Sequence, residues 1–242
     1  MLTTVLFDLD GTLLPFVQDE FIQAYFKTLL RRLGPMGYDG EKLTAALWKG
    51  TGAMIKNDGR YTNRQIFWEV FTQTLGVQAL ALESNLDDFY RHEFDEVRQV
   101  LRCQADRRPL VEGLREKGYG LVLATNPVFP AAAVETRMKW VGLCPQDFAY
   151  ITTYENSRHS KPNPAYFRDI LAHIGRQPEE CLMVGNNPVD DMAALDVGME
   201  AFLVTDYLEN PEDRPIDAFR RGTFRELEEF LGALPAVEKQ AL

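Results

Sequence analysis

No stretch of this 242-residue chain is apolar for long enough to cross a bilayer, since a span needs about 20 consecutive apolar residues. Cysteine is scarce as well. Cys103, Cys144 and Cys181 are far apart and form no CxxC. An odd number without characteristic spacing argues against a disulfide framework; the three are read as buried small apolar residues in a reducing compartment. Positive charge is in deficit, with 26 Lys and Arg against 36 Asp and Glu and a net charge of −10. Such a chain gains nothing from counterion release along a phosphate backbone, so nucleic acid is not expected as a partner. No basic segment precedes the first apolar run, and Asp8 and Asp10 interrupt it, so no signal peptide is expected. With neither leader nor span, the chain is assigned to the cytoplasm. Internal repeats and low-complexity segments are missing too. His92, His159 and His173 have no ligand-like spacing and are read as ordinary structural or surface residues.

What is present is the composition of a globular protein, 45% hydrophobic and 26% charged, with enough chain for a sizeable core. One segment stands apart. Val5-Leu6-Phe7-Asp8-Leu9-Asp10-Gly11-Thr12-Leu13 is an apolar, β-prone run ending in two carboxylates one residue apart. Two acids at a buried strand end need a partner, and a divalent cation is the obvious one. The competing reading is a β-turn capped by Asp8 or Asp10, with Gly11 supplying positive φ.

Organisation along the chain favours the first reading. A strand is expected over roughly Thr3–Leu9. From Val17 to Leu101 the spacing is helical, beginning with the stripe Phe21, Ile22, Tyr25, Phe26, Leu29, Leu30 and Leu33. Gly34-Pro35 ends that helix, and further helices are expected over Leu43–Ile55, Asn63–Leu75 and within Glu83–Leu101. Strand and helix then alternate, with strands at Gly120–Thr125, Tyr150–Thr153, Cys181–Gly185 and Ala201–Thr205. Helices are expected over Pro109–Lys117, Ala131–Val141, Pro164–Ile174, from about Asp190, and over Thr223–Leu234. Short apolar strands alternating with helices imply an α/β fold with a doubly wound parallel sheet. Residues 1–15 and 102–242 would form this core, and 16–101 an inserted helical cap.

The candidate polar groups fall just after expected strands, apart from Lys161, which precedes a helix. Asp8 and Asp10 follow the first strand and Thr125 the second. Asn186, Asn187, Asp190 and Asp191 follow Leu182-Met183-Val184-Gly185. In a parallel sheet these ends share one edge, so distant residues converge. The acids can hold Mg²⁺, the hydroxyl and ammonium can hold phosphoryl oxygens, and one carboxylate remains to attack phosphorus. Taken singly, Thr125 could be a strand-end hydroxyl, Asn186 a turn residue before Pro188, and Asp190 and Asp191 acids favoured at a helix start.

The motif set resembles that of the haloacid dehalogenase-like (HAD) superfamily. Asp8-Leu9-Asp10-Gly11-Thr12 matches its first motif, Thr125-Asn126 the second and Lys161-Pro162-Asn163-Pro164 the third; Gly185 to Asp191 matches the fourth incompletely. The helical insert resembles the family's C1-type cap. The resemblance implies a Mg²⁺-dependent phosphomonoester hydrolase acting on a small phosphorylated metabolite. Asp8 would be the nucleophile, forming an aspartyl-phosphate. Asp10 would be general acid and then base, its backbone carbonyl binding the metal. Thr125 and the Asn126 amide would hold a phosphoryl oxygen, and Lys161, in a site open to water, would neutralise charge. The family usually carries Gly-Asp in the fourth motif, where this chain has Gly185-Asn186. The expected metal set is therefore Asp8, Asp10, Asn186 and Asp191, with Asp190 as a further candidate. A sugar-phosphate mutase of the same chemistry and a non-catalytic binding protein are the alternatives. A dehalogenase is disfavoured, because a departing halide needs no proton from position 10. Trp48, Phe67, Trp68 and Phe71 are read as core at helical spacing. Lys49 and Lys56 lie in Gly-bearing cap stretches that are read either as substrate contacts or, more often for such stretches, as loops.

Overall fold

The fold is taken from a computed structural model that describes residues 1–237; the last five residues of the expected core segment lie outside it. Six strands form one parallel sheet: β1 (Thr4–Phe7), β2 (Gly120–Leu123), β3 (Tyr150–Ile151), β4 (Cys181–Gly185), β5 (Glu200–Val204) and β6 (Arg221–Gly222). Their order is β3-β2-β1-β4-β5-β6, so the chain winds outward from β1 in both directions. Side-chain alternation builds the two faces. Val5, Phe7, Leu121, Leu123, Leu182 and Val184 enter one apolar cluster. Leu6, Val122, Ala124, Cys181 and Met183 enter the other, beneath Tyr166 and Phe167. Helices cover both faces, as a parallel sheet buried on both sides requires.

Among the described residues eight α-helices accompany the sheet: α1 (Gln18–Leu33), α2 (Gly40–Ile55), α3 (Asn63–Leu75), α4 (Leu82–Arg91), α5 (Arg108–Glu116), α6 (Ala131–Lys139), α7 (Pro164–Ile174) and α8 (Phe224–Ala233). Local chemistry sets several boundaries. Thr62 and Gln65 form a capping box at α3, and Thr223 and Glu226 do so at α8. Asn163 caps α7, with Pro164 in its first turn. Two expected helices are 3-10 segments instead, over Glu93–Val100 and Met192–Val197. The two-residue β6 has no apolar run to announce it. Among the described residues no helix is long and apolar enough to cross a membrane.

Helices α1 to α4 lie between β1 and β2 in sequence and stand over the sheet. The two ends of this helical stretch meet where the Arg102 amide donates to the Pro15 carbonyl at 2.8 Å. The apolar interior does not stop there. Phe21 meets Phe94 within the insert and Phe129 in the core, with ring centroids 6.2 and 6.0 Å apart. Phe94 also packs on Trp140 at 5.5 Å. The cysteine expectation holds for Cys181, which is buried, but not for Cys103 and Cys144, which lie exposed in loops outside the sheet layers.

Candidate active site

The ends of β1, β2 and β4 converge as a central parallel trio must, because β1 pairs with both neighbours. The Asp8 amide still donates to the Val184 carbonyl at 2.8 Å, so Asp8 is held by the ladder although β1 ends at Phe7. The chain then turns sharply. Gly11 adopts φ +71°, and a Cβ there would stand 2.1 Å from Asn186 Nδ2. Gly185 meets the same kind of limit, since its Cβ would overlap Asp191. Both glycines let two loops close over the carboxylates.

Lys161 is fully buried at the centre. Its ammonium donates to Asp8 Oδ1 at 2.8 Å and to Asp191 Oδ1 at 2.6 Å. The water-exposed lysine expected from sequence is thus replaced by a buried one, enclosed by β1, the fourth-motif loop and the ring of Tyr166. Burial alone would lower its pKa, but Asp191 and Asp8 together outweigh that and raise it. Burial pushes the Asp8 carboxyl up to about 7; Lys161 opposes this, while Asp191 and Asp10 add to it. Asp190 is raised by burial and by Asp191. Glu209, not singled out from sequence, also lines the site and is raised by burial, with Asp190 and Asp191 contributing.

Asp191 has both oxygens engaged, by Lys161 and by the Asn187 amide at 2.9 Å. Asn186 is oriented by its own donor: Nδ2 gives a 2.6 Å bond to the Tyr207 carbonyl, which leaves Oδ1 toward Asp8. The Thr12 hydroxyl sits between them, 3.3 Å from Asp8 Oδ2 and 3.4 Å from Asn186 Oδ1. The Thr125 carbonyl is locked by Thr152 at 2.7 Å and Tyr166 at 2.9 Å. Asn126 donates to Asp190 at 3.3 Å, and its Oδ1 is buried without a partner among the described residues.

Asp10 has a partner that the motifs do not contain. Arg137 of α6, fully buried, donates through Nη1 to Asp10 Oδ2. Its guanidinium lies 4.4 Å from the centre of the Phe129 ring. Asp10 Oδ1 is buried and has no partner among the described residues. The sequence signal for Arg137 was a charge on the apolar face of α6, four residues after Ala133, which is also buried.

Among the described residues no three His, Cys, Asp or Glu side chains are arranged as a metal site. The donor set nevertheless suits a hard cation. Asn186 Oδ1 and Asp8 Oδ2 face one another across a hydroxyl. Asp8 and Asp191 share a single ammonium, Asp190 and Glu209 line the same cavity, and burial and mutual repulsion raise Asp8, Asp190 and Glu209. An oxygen-liganded divalent ion would supply the missing positive charge without a full cage of carboxylates.

All eight residues expected at the site line one cavity of about 890 Å³. Its floor is this polar cluster. Its walls come from α1 to α4 and the loop carrying Phe129. Phe67, Trp68 and Phe71 are buried in the apolar cluster as expected, the first two also lining the cavity, whereas Trp48 stands half exposed on its wall. Helical spacing is the same for both, and only the partner helix decides which face is covered. Lys49 and Lys56 are not on the wall.

Comparison with known proteins places this geometry. Residues 2–198 match the family described as haloacid dehalogenase-like hydrolase. A phosphoglycolate phosphatase of Aliivibrio fischeri is 29% identical over 202 residues, covering 83% of each chain. A pyrophosphatase PpaX of Bacillus velezensis is 26% identical over 196 residues, covering 81% of this chain and 80% of that one. The crystal structure of a HAD phosphatase from Thermococcus onnurineus superposes with a TM-score of 0.61 at 22% identity, covering 98% of this chain and all of the other.

Proposed function

Since the chain belongs to the haloacid dehalogenase-like hydrolases, we propose that it is a Mg²⁺-dependent phosphatase that cleaves the phosphate monoester of a small metabolite through an aspartyl-phosphate at Asp8. The observation that carries this reading is the buried Lys161 bridging Asp8 and Asp191 on the cavity floor beside Thr125. A carboxylate that must approach an anionic phosphate needs its charge countered where water is absent. Relatives named as phosphatases support the same chemistry.

Each residue then has a task. Asp8 attacks phosphorus and the ester oxygen leaves. Asp10 Oδ1, without a partner among the described residues, carries the proton to that oxygen; Arg137 fixes the other oxygen. Asp10 then takes a proton from the water that hydrolyses the acyl-phosphate. Thr125 and Asn126, at the end of β2, hold phosphoryl oxygens. Asp191 positions Lys161 and is a further oxygen donor for the cation, directly or through water. The Asp8 carboxylate, the Asp10 backbone carbonyl and Asn186 Oδ1 would hold Mg²⁺, which when bound screens the phosphate and polarises its oxygen. Residues 16–101 act as the cap that encloses the reaction and contacts the alcohol.

The test is chemical. Wild-type protein quenched during turnover of a radiolabelled phosphate ester should carry a phosphate label that hydroxylamine releases. Folded Asp8→Asn protein should carry none and turn nothing over. Turnover by Asp8→Asn at a rate near wild type would remove Asp8 as nucleophile.

A further inference from the structure

The polar floor recognises only a phosphate, so the wall determines what the phosphate is attached to. That wall is apolar and largely aromatic. Phe26, Trp48, Ile55, Trp68, Leu80 and Phe129 all line it. Trp48 stacks on Phe26 at 5.4 Å, yet remains 50% exposed, with Leu80 at 48% and Ile55 at 43%. Large apolar side chains left uncovered around a cavity mark a surface that a ligand covers.

Charge gives the second half of the argument. Besides Lys161, the only cation among the described wall residues is Arg64, and Glu83 already holds it, 2.9 Å from Nε. The same wall carries Asp19, Glu83, Asp87 and Glu155. A second anionic group on the substrate would meet carboxylates and hydrocarbon, with no free cation to pair it. Phosphoglycolate and pyrophosphate, the substrates in the names of the relatives, each carry such a group.

We infer that this enzyme acts on phosphate monoesters of bulky apolar, aromatic alcohols that bear no second negative charge, and that Trp48 and Phe26 form the platform for the aromatic group. The inference rests on the phosphatase reading for the reaction and on the cavity wall for the choice of alcohol. Stacking and burial of a ring supply the binding energy, while the acidic rim repels anionic competitors.

The experiment compares 2-naphthylmethyl phosphate, phosphoglycolate and pyrophosphate with Mg²⁺ present. The first is an alkyl ester, so it holds no advantage from an activated leaving group. Its kcat/KM should exceed the other two by about 100-fold or more, the range a pocket gives when it leaves a polar group unpaired. Trp48→Ala should lower this ratio about tenfold, and Trp48→Phe should restore most of it. In parallel, the affinities of the three compounds are measured on Asp8→Asn protein, which does not turn over. A preference for the naphthyl ester there upholds the inference even if the wild type hydrolyses none of the three, a result that would overturn the phosphatase reading alone. Equal or tighter binding of phosphoglycolate or pyrophosphate overturns the inference, whatever the wild type hydrolyses.

Discussion

Arg137 and Asp10, 127 positions apart in sequence, form an ion pair at the floor of the cavity. Arg137 is fully buried, and its Nη2 has no partner among the described residues. The pair therefore ties α6 to the loop after β1 that carries Asp10. Removing one member leaves a buried charge without its counterion, which costs about 3–5 kcal/mol.

Arg137→Met should lower stability by about that amount, because it deletes the guanidinium and keeps most of the side-chain volume. Adding Asp10→Asn should recover part of the loss, giving a coupling free energy of about 1–3 kcal/mol in the cycle. Denaturant unfolding of the four proteins measures it. Strictly additive effects would mean that the pair contributes nothing.

Lys161→Ala should reduce stability as well as kcat, which follows from the complete burial of the ammonium. Asp8 and Asp191 would face each other with nothing between them. Asp191→Asn in the same protein should restore much of the melting temperature and none of the activity. A Lys161→Ala protein that melts like wild type would show that water enters and screens the carboxylates.

With Mg²⁺ held as proposed, Asp8 should link metal binding to pH. Its carboxyl titrates near 3.8 in the unfolded chain and is pushed up to about 7 by burial in the metal-free fold. The folded state therefore favours the protonated form. Its contribution to stability is full below 3.8 and is lost as pH rises through about 7. Mg²⁺ takes the ionised form. The rise in melting temperature on replacing EDTA by Mg²⁺ should be larger at about pH 8 than at about pH 6, with that difference reduced in Asp8→Asn. An identical rise at both pH values in wild type would exclude Asp8 from the metal shell.

Asn186→Asp should bind Mg²⁺ more tightly and yet weaken the metal-free fold. The amide donates to the Tyr207 carbonyl at 2.6 Å, and a carboxylate would place oxygen against oxygen. The lost bond and the unpaired acceptor cost about 1–3 kcal/mol. Melting in EDTA should fall below wild type, and Mg²⁺ should recover it at lower concentration. Asn186→Ala should raise the Mg²⁺ needed for half-maximal activity. Superimposable Mg²⁺ titrations of the three proteins would place Asn186 outside the shell.

Much of this architecture was legible in the chain because its signals are local. Asn63–Leu75, Pro164–Ile174 and Cys181–Gly185 carry their own caps, turns or apolar runs, and they form over those residues. Asp8, Asp10, Thr125, Lys161 and the fourth-motif loop share a sheet edge because parallel topology leaves them nowhere else. What depended on distant partners was hidden. Arg137 belongs to no motif, and its part in the site emerges only when Asp10 is placed beside it. Trp48 and Phe71 have the same helical spacing, and only the packing of α2 and α3 makes one a wall and the other core. The burial of Lys161 likewise comes from Tyr166 and Asp191 closing over it, which no short motif encodes.

The aromatic contacts of Phe21 and Phe94 with Phe129 and Trp140 cross from the helical insert into the body of the enzyme. Swinging the insert away would strip these rings of their partners and wet them, at about 25 cal/mol for each Å² exposed. These contacts seat the insert on Phe129 and Trp140 in the arrangement described. A chimera that grafts it onto another family member's body would have to carry Phe129 and Trp140 with it, or it would leave the transplanted rings without a bed.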